Sequence, residues 1–252
     1  MPFSEIFGQE HAIGLIKKSV SRKRIPQAWL FTGQKNIGKF KTSIALAQQL
    51  NCKKNTEDAC GKCDYCIQIF EQNFLDLQVL SPEGKHIKIN QIRQSLHWLA
   101  LHNDQSKIKV MILDGAQNLS REAANALLKT LEETAPNTLI ILIAESIIQL
   151  QETIVSRCQQ VRFRPLTDQI SKKILSEKTD LNIEKVRLLS AFGMGSVKTN
   201  LALRIELVEK VQTIAIGWLS DFSVIKLEEI LYTCENWGKS KNEEWSIYLD
   251  FL

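Results

Sequence analysis

Residues 28–50, AWLFTGQKNIGKFKTSIALAQQL, constrain the fold of this chain more than any other stretch. The apolar run at 28–31 reads as a buried strand, and 33–39 form a loop punctuated by glycine. Residues 40–50 then carry Ile44, Leu46, Ala47 and Leu50 at the spacing of a packing helix. Strand, glycine loop and helix in that order are the setting in which backbone amides cradle phosphate. The pattern G-x-x-x-x-G-K-[ST] is met at Gly33, Gly38 and Lys39, and then fails. Phe40 stands where a hydroxyl would hold the magnesium of a bound nucleotide. Lys41 and Thr42 follow, but a hydroxyl two positions later leaves from another face of the helix. The expectation is a P-loop whose backbone cradle survives and whose metal ligand is lost. Gly33, Gly38 and Lys39 are its candidate nucleotide contacts.

The rest of the first 165 residues repeats the alternation of strand and helix. Strands are expected at 75–80, at 108–113 (IKVMIL), at 138–144 (TLIILIA), and around Val161 and Phe163 before Pro165. Helical spacing recurs at Ala12, Leu15, Ile16 and Val20, and again at Ile92, Leu96 and Leu99 within 89–101. That second helix places His97 and His102 on its surface. Ser120 is a plausible N-cap for REAANALLKTLEE, with Glu122 in its first turn. A short helix over 147–155 leads to Ser156, Arg157 and Cys158. Such alternation predicts an α/β domain with a doubly wound parallel sheet, whose strands are apolar throughout because both faces are covered. Asp114 ends a central strand, the place of a Walker B acid. Gly115 follows where a hydrolysing enzyme needs an acid to activate water.

Cys52, Cys60, Cys63 and Cys66 have the spacing C-x7-C-x2-C-x2-C. CxxC turns bring two thiolates to one ion, and a further cysteine nearby closes a tetrahedron. Four protein ligands leave no position for water or substrate, so a structural Zn2+ is expected. Its binding energy, on the order of 10 kcal/mol or more, would fold a polar insert with little core of its own. The alternative is four unrelated buried thiols. Cys158 and Cys234 lie far off and read as packed thiols.

Composition enters at three points. Hydrophobic residues at 44% and charged residues at 24% place the 252-residue chain among ordinary globular proteins. A net charge of +4 permits contact with nucleic acid without demanding it. The basic residues Lys17, Lys18 and Arg22 to Arg24 are therefore either a solvated face or a phosphate-contacting patch. No apolar run approaches the roughly 20 residues of a membrane span, and MPFSEIFGQE lacks a basic-then-apolar signal. A cytoplasmic protein without membrane contact is expected, and a reducing compartment favours metal over disulfides.

After Thr167 strand signals stop. Helices are expected over 168–177, 183–192 and 197–219, and further ones over 222–252. The domain reading is 1–165 for the P-loop-like domain with its four-cysteine module at 52–66, 166–205 for a small helical lid, and 206–252 for a short helical C-terminal region.

IFGQEHAI, QAWLFTGQKNIGK, the four-cysteine insertion, LSREAANALLKTLEE and the SRC at Ser156 to Cys158 together resemble the clamp-loader ATPases of the AAA+ class. Among these, the resemblance is to the delta-prime subunits of bacterial DNA polymerase III, over roughly residues 5–165. It implies an AAA+ module, a helical lid, and a C-terminal collar in a five-membered ring. It implies partnership with gamma/tau-like ATPase subunits and a delta-like subunit, with the sliding clamp and primed DNA met through the assembly. It also implies no ATP hydrolysis by this chain, and an arginine, Arg157, projecting into a neighbour's ATP site. A permanently charged, forked guanidinium suits that task, although Arg157 could instead brace the helix end near Cys158. The family's lid arginine maps near Lys198. Two departures are expected to matter: AESIIQLQETIVSRC is one residue short around Glu145 and Ser146, and the stretch after about residue 206 is shorter than the usual collar. Two other readings stay open on the residues alone, a gamma-like ATPase with a divergent P-loop and a zinc-containing DNA-binding module.

Overall fold

The apolar runs become the strands of one parallel sheet: β1 (Ala28–Thr32), β2 (Leu77–Leu80), β3 (Lys109–Asp114), β4 (Thr138–Ala144) and β5 (Gln159–Arg162). Their order across the sheet is β2-β3-β4-β1-β5. The structure is a computed structural model and describes residues 2–54, 57–101, 107–133, 135–178, 183–192 and 195–197. The chain divides into two compact units at Leu166–Thr167.

Alternate residues of each strand feed opposite layers. Trp29, Phe31, Val110, Ile112, Ile141 and Val161 face one core, which is closed by α1 (Glu10–Ser21), α2 (Lys39–Asn51) and α3 (Asp64–Phe70). Leu30, Met111, Leu113, Ile140 and Leu142 face the other. That layer is closed by α4 (Ile89–Ala100), α5 (Arg121–Glu132) and α6 (Glu152–Val155). Coverage on both faces is why β4 is buried at all of its positions. The doubly wound α/β architecture read from the sequence is the one observed.

Local chemistry explains the element ends. Ser120 Oγ accepts from the Ala123 amide at 3.2 Å and caps α5. The apolar stretch 147–155 is not one helix. Ser146 Oγ caps a single 3-10 turn at Ile147–Gln149, the backbone then extends through Leu150 and Gln151, and α6 starts afresh. Next to β2 lies a feature the sequence did not announce: Asp76 and Lys109 form a buried ion pair at 3.7 Å. The Lys109 ammonium also sits 4.7 Å from the centre of the Trp98 ring and 3.3 Å from the Leu101 carbonyl. A buried charge without such partners would be strongly destabilising.

In the second unit, α7 (Asp168–Lys178) and α8 (Ile183–Phe192) bury Leu175, Val186 and Leu189. Ser190 Oγ donates to Asp168 Oδ1 at 2.9 Å. The helix expected over 197–219, beyond its first residue, together with the region 206–252, Lys198, His102 and Cys234, lies outside the described residues. Among the described residues no helix is long and apolar enough to cross a membrane.

Candidate functional site

β1 lies between β4 and β5, so the loop after it emerges at the carboxyl ends of both neighbours. The Gly33 amide donates to the Glu145 carbonyl at 3.2 Å. Gly33 itself adopts φ +140°, and a Cβ there would lie 2.6 Å from the Phe163 carbonyl oxygen. Only glycine fits that approach. Gln9, 3% exposed, straps the loop from outside. Its Nε2 donates to the Ile37 and Arg164 carbonyls at 3.0 and 2.8 Å, and its Oε1 accepts from the Arg164 amide at 3.1 Å.

Within this cradle the Lys39 ammonium donates to the Gly33 carbonyl at 2.5 Å and to the Gln34 carbonyl. Burial lowers its pKa to about 8, against the opposing pull of Asp114 and Glu145. Burial likewise raises the Asp114 carboxyl above its usual range, with Lys39 opposing. Phe40 is half-buried and packs on the core beneath the loop. The Thr42 hydroxyl turns back into its own helix and donates to the Gly38 carbonyl at 2.9 Å. It does not replace the hydroxyl missing at position 40. At Gly115, φ is +88°, and a Cβ would meet Asn118 Nδ2 at 3.1 Å and Pro82 at 3.3 Å. An acid at this position is therefore disfavoured by backbone conformation as well as absent from the sequence. Of the two residues at the shortened turn, Glu145 faces the loop, pairing with Lys35 at 3.2 Å and accepting from Gln117 Nε2 at 3.0 Å.

At the other end of α2 the four cysteines converge. The Sγ atoms of Cys52, Cys60, Cys63 and Cys66 lie within 4.8 Å of one another. A tetrahedron with ~2.3 Å metal–sulfur bonds has edges of roughly 3.8 Å, so the donor set fits one ion. The Lys62 amide pulls the Cys60 thiol down to about 6, while burial pushes Cys66 up. The cluster could hold a metal ion, with Cys63 as N-cap of α3 and Cys52 as C-cap of α2 fixing two ligands. Asp58 ties the module to the chain start, accepting from the Phe3 and Ser4 amides at 3.0 Å each. Lys17 adds a contact to Asp58 at 3.6 Å.

Arg157 follows α6. Its neighbour Cys158 is buried in the core beneath α5, and burial raises that thiol to about 12. The buried neighbour leaves the Arg157 side chain, one-third exposed, at the module's surface. Nε donates to Glu132 Oε1 at 2.7 Å, Nη2 donates to the same oxygen, and Nη1 donates to the Thr153 carbonyl at 2.9 Å.

Residues 8–167 match the family model described as DNA polymerase III, delta subunit. The chain belongs to this family. Subunit delta' of DNA polymerase III from Bacillus subtilis is 32% identical over 224 residues, covering 89% of this chain and 65% of that protein. Subunit gamma from Buchnera aphidicola subsp. Baizongia pistaciae is 28% identical over 236 residues, covering 91% of this chain and 62% of that protein. The chain thus spans less than two thirds of the length of either relative. A gamma subunit-related protein of DNA polymerase III from Thermotoga maritima superposes with a TM-score of 0.51 at 18% identity. That structure covers 96% of this chain and is itself covered over 77%, and it shows the shared AAA+ fold.

Three polar residues of this family member escaped the sequence reading: Gln9, Asp58 and Glu132. Each acts on a partner distant in sequence, from 25 residues (Glu132 to Arg157) to 155 (Gln9 to Arg164). No periodicity or local spacing marks such contacts.

Proposed function

We propose that the chain is a delta-prime-like, non-catalytic subunit of a replicative clamp loader in the bacterial cytoplasm. It joins gamma/tau-like ATPase subunits and a delta-like subunit in a ring, and lends Arg157 to a neighbour's ATP site so that the sliding clamp is loaded on primed DNA. Residues 1–165 act as the AAA+ module, 166–205 as the lid and 206–252 as the collar-like region. Zn2+ held by Cys52, Cys60, Cys63 and Cys66 has a structural role: it locks the insertion between α2 and α3 and supplies no reacting position.

The observation that carries this reading is Phe40, packed on the core in the first turn of α2, directly after a loop held in its path by Gly33. The fold of a nucleotide site persists there without the group that would hold its metal. Lys39 can still meet a phosphate, on exchanging its carbonyl partners for it. Support for Arg157 is its exposure and its partner: an exposed ion pair with Glu132 is worth about 0–1 kcal/mol, so it yields readily to a phosphate oxygen. The likeness to a gamma subunit keeps a second reading alive, a divergent ATPase. Steady ATP turnover by the isolated chain, lost in Lys39→Ala, would favour that reading.

The test is reconstitution with gamma/tau-like and delta-like subunits, measuring DNA-stimulated ATP turnover. Arg157→Ala is expected to lower turnover at least tenfold, with the ~10³ to 10⁵ that an arginine finger can supply as the upper bound. Arg157→Lys should rescue poorly, because one ammonium lacks the planar fork. Native turnover by the Arg157→Ala assembly would assign the residue to bracing α6.

A further inference from the structure

The basic stretch at the end of α1 does not belong to the cradle, the cysteine module or the Arg157 surface. It borders a cavity of about 280 Å³ between the last turns of α1 and the edge strand β5. Lys18, Arg22 and Arg24 line this cavity, and among the described residues no carboxylate does. None of the three cations has an ion-pair partner among the described residues. Ser19, Gln159 and Gln160 add uncharged polar side chains to the wall, and Leu15 and Val161 add apolar ones. Trp29 forms the inner wall at 1% exposure, and its indole Nε1 is buried without a hydrogen-bond partner among the described residues. A buried N–H without an acceptor is uncommon and calls for an explanation. In the sheet register Trp29 pairs with Gln159, at the amino end of β5. The cradle lies at the carboxyl ends of the same strands, so the two sites are separate.

We propose that this cavity binds phosphate, as presented by the backbone of a single nucleic-acid strand. The chemistry selects that ligand on three counts. Guanidinium forks match phosphate oxygens two at a time. The wall offers a hydroxyl and side-chain amides, and so can donate to an acceptor-rich anion. Three cations within seven residues of chain suit a ligand that repeats its charge, as a phosphodiester backbone does. The site is independent of any role for Arg157.

The test uses the full chain and a labelled oligothymidylate, with binding read by fluorescence anisotropy against salt concentration. Three single-strand phosphate contacts contribute a log–log slope of about −2. The combined variant Lys18→Ala, Arg22→Ala, Arg24→Ala is expected to bind at least tenfold more weakly at low salt, and to lose most of that slope. Trp29→Phe keeps an aromatic ring, of smaller size, and removes the N–H. It should weaken binding several-fold with the slope unchanged, which a merely diffuse positive surface would not do. Should Trp29→Phe fail to fold, the surface charge variant carries the test, since all three positions are exposed. Inorganic phosphate, titrated by calorimetry, separates the sources. Phosphate binding lost in the charge variant, without oligothymidylate binding, would keep a phosphate site and assign it a free phosphate compound. Undiminished oligothymidylate binding by the charge variant would overturn the proposal. So would equally tight binding of polyglutamate, or no binding of either phosphate probe.

Discussion

The helix α2 carries a candidate site at each end, and the two ends have kept opposite things. At its start, the P-loop keeps the backbone path: Gly33 in its close approach to Phe163, Gln9 strapping Ile37, and Ile37 itself buried in the core. The side-chain chemistry at position 40 has gone, and Phe40 has been absorbed into packing. At its other end the backbone has little to rest on. Among the described residues, the cluster around Cys52 and Cys66 has Ala59 as its only other buried member, with Cys60 and Cys63 at its edge. A site seated on a large core can lose its chemistry and keep its shape. A site whose ligands are its core cannot. The first end therefore tolerates side-chain change and the second does not, and measurement can break that contrast at three points.

The largest effect is expected at the cysteines. Metal analysis should find about one zinc per chain. Chelation, or Cys66→Ser, should remove much of a binding energy on the order of 10 kcal/mol and leave residues 52–66 unable to hold their fold. Hydrogen exchange would report lost protection there. It should also report lost protection at Phe3 and Ser4, whose amides depend on Asp58 in the same module. The amides of the sheet should stay protected. Metal-free protein with an intact module would show that backbone tethers suffice, and would erase the contrast with the P-loop.

The same contrast explains what was legible in the sequence. Continuous apolar runs such as TLIILIA announced the buried parallel strands, because burial on both faces leaves no polar position. The P-loop and the CxxC pairs were legible because they act over a few residues, through turns that spacing alone reports. The split at 147–155 was not, since one Ser146 cap outweighed apolar periodicity. Nor was the Asp76–Lys109 pair, because Lys109 stands in an apolar run and its partner lies on another strand's approach. The conformation of Gly115 was also hidden: sequence shows a missing acid, while the crowding by Pro82 and Asn118 is tertiary.

A smaller effect tests how the cradle holds Lys39. Its native pKa of about 8 lies below its ordinary 10.5, because burial disfavours the charge. Between those values the unfolded chain binds more protons than the native one, so native stability rises with pH across that window. At about 1.4 kcal/mol per unit, Lys39 should contribute a gain on the order of 2 to 3 kcal/mol from pH 8 to 10.5. Lys39→Met should lack that gain while keeping the fold. Denaturant midpoints of both proteins across the window give the difference directly. A flat difference would mean that the ammonium is solvated, and that the loop does not enclose it.

The smallest effect comes from restoring the lost hydroxyl. Phe40→Thr removes a half-buried ring from the core beneath the loop, which should cost on the order of 1 to 2 kcal/mol in denaturant unfolding. The loop should keep its path, because Gly33, Gln9 and Ile37 set it without help from position 40. Hydrolysis should not follow. A magnesium ligand orients phosphate but does not activate water, and Gly115 still offers no acid. Adding Gly115→Glu should cost stability without adding turnover, since that residue would have to adopt φ near +88° against Pro82. Phosphate release by isolated Phe40→Thr protein is the measurement, with Lys39→Ala as control. Magnesium-dependent turnover that vanishes with Lys39 would show that one hydroxyl separates this loop from a working site, and that geometry and chemistry had not parted here after all.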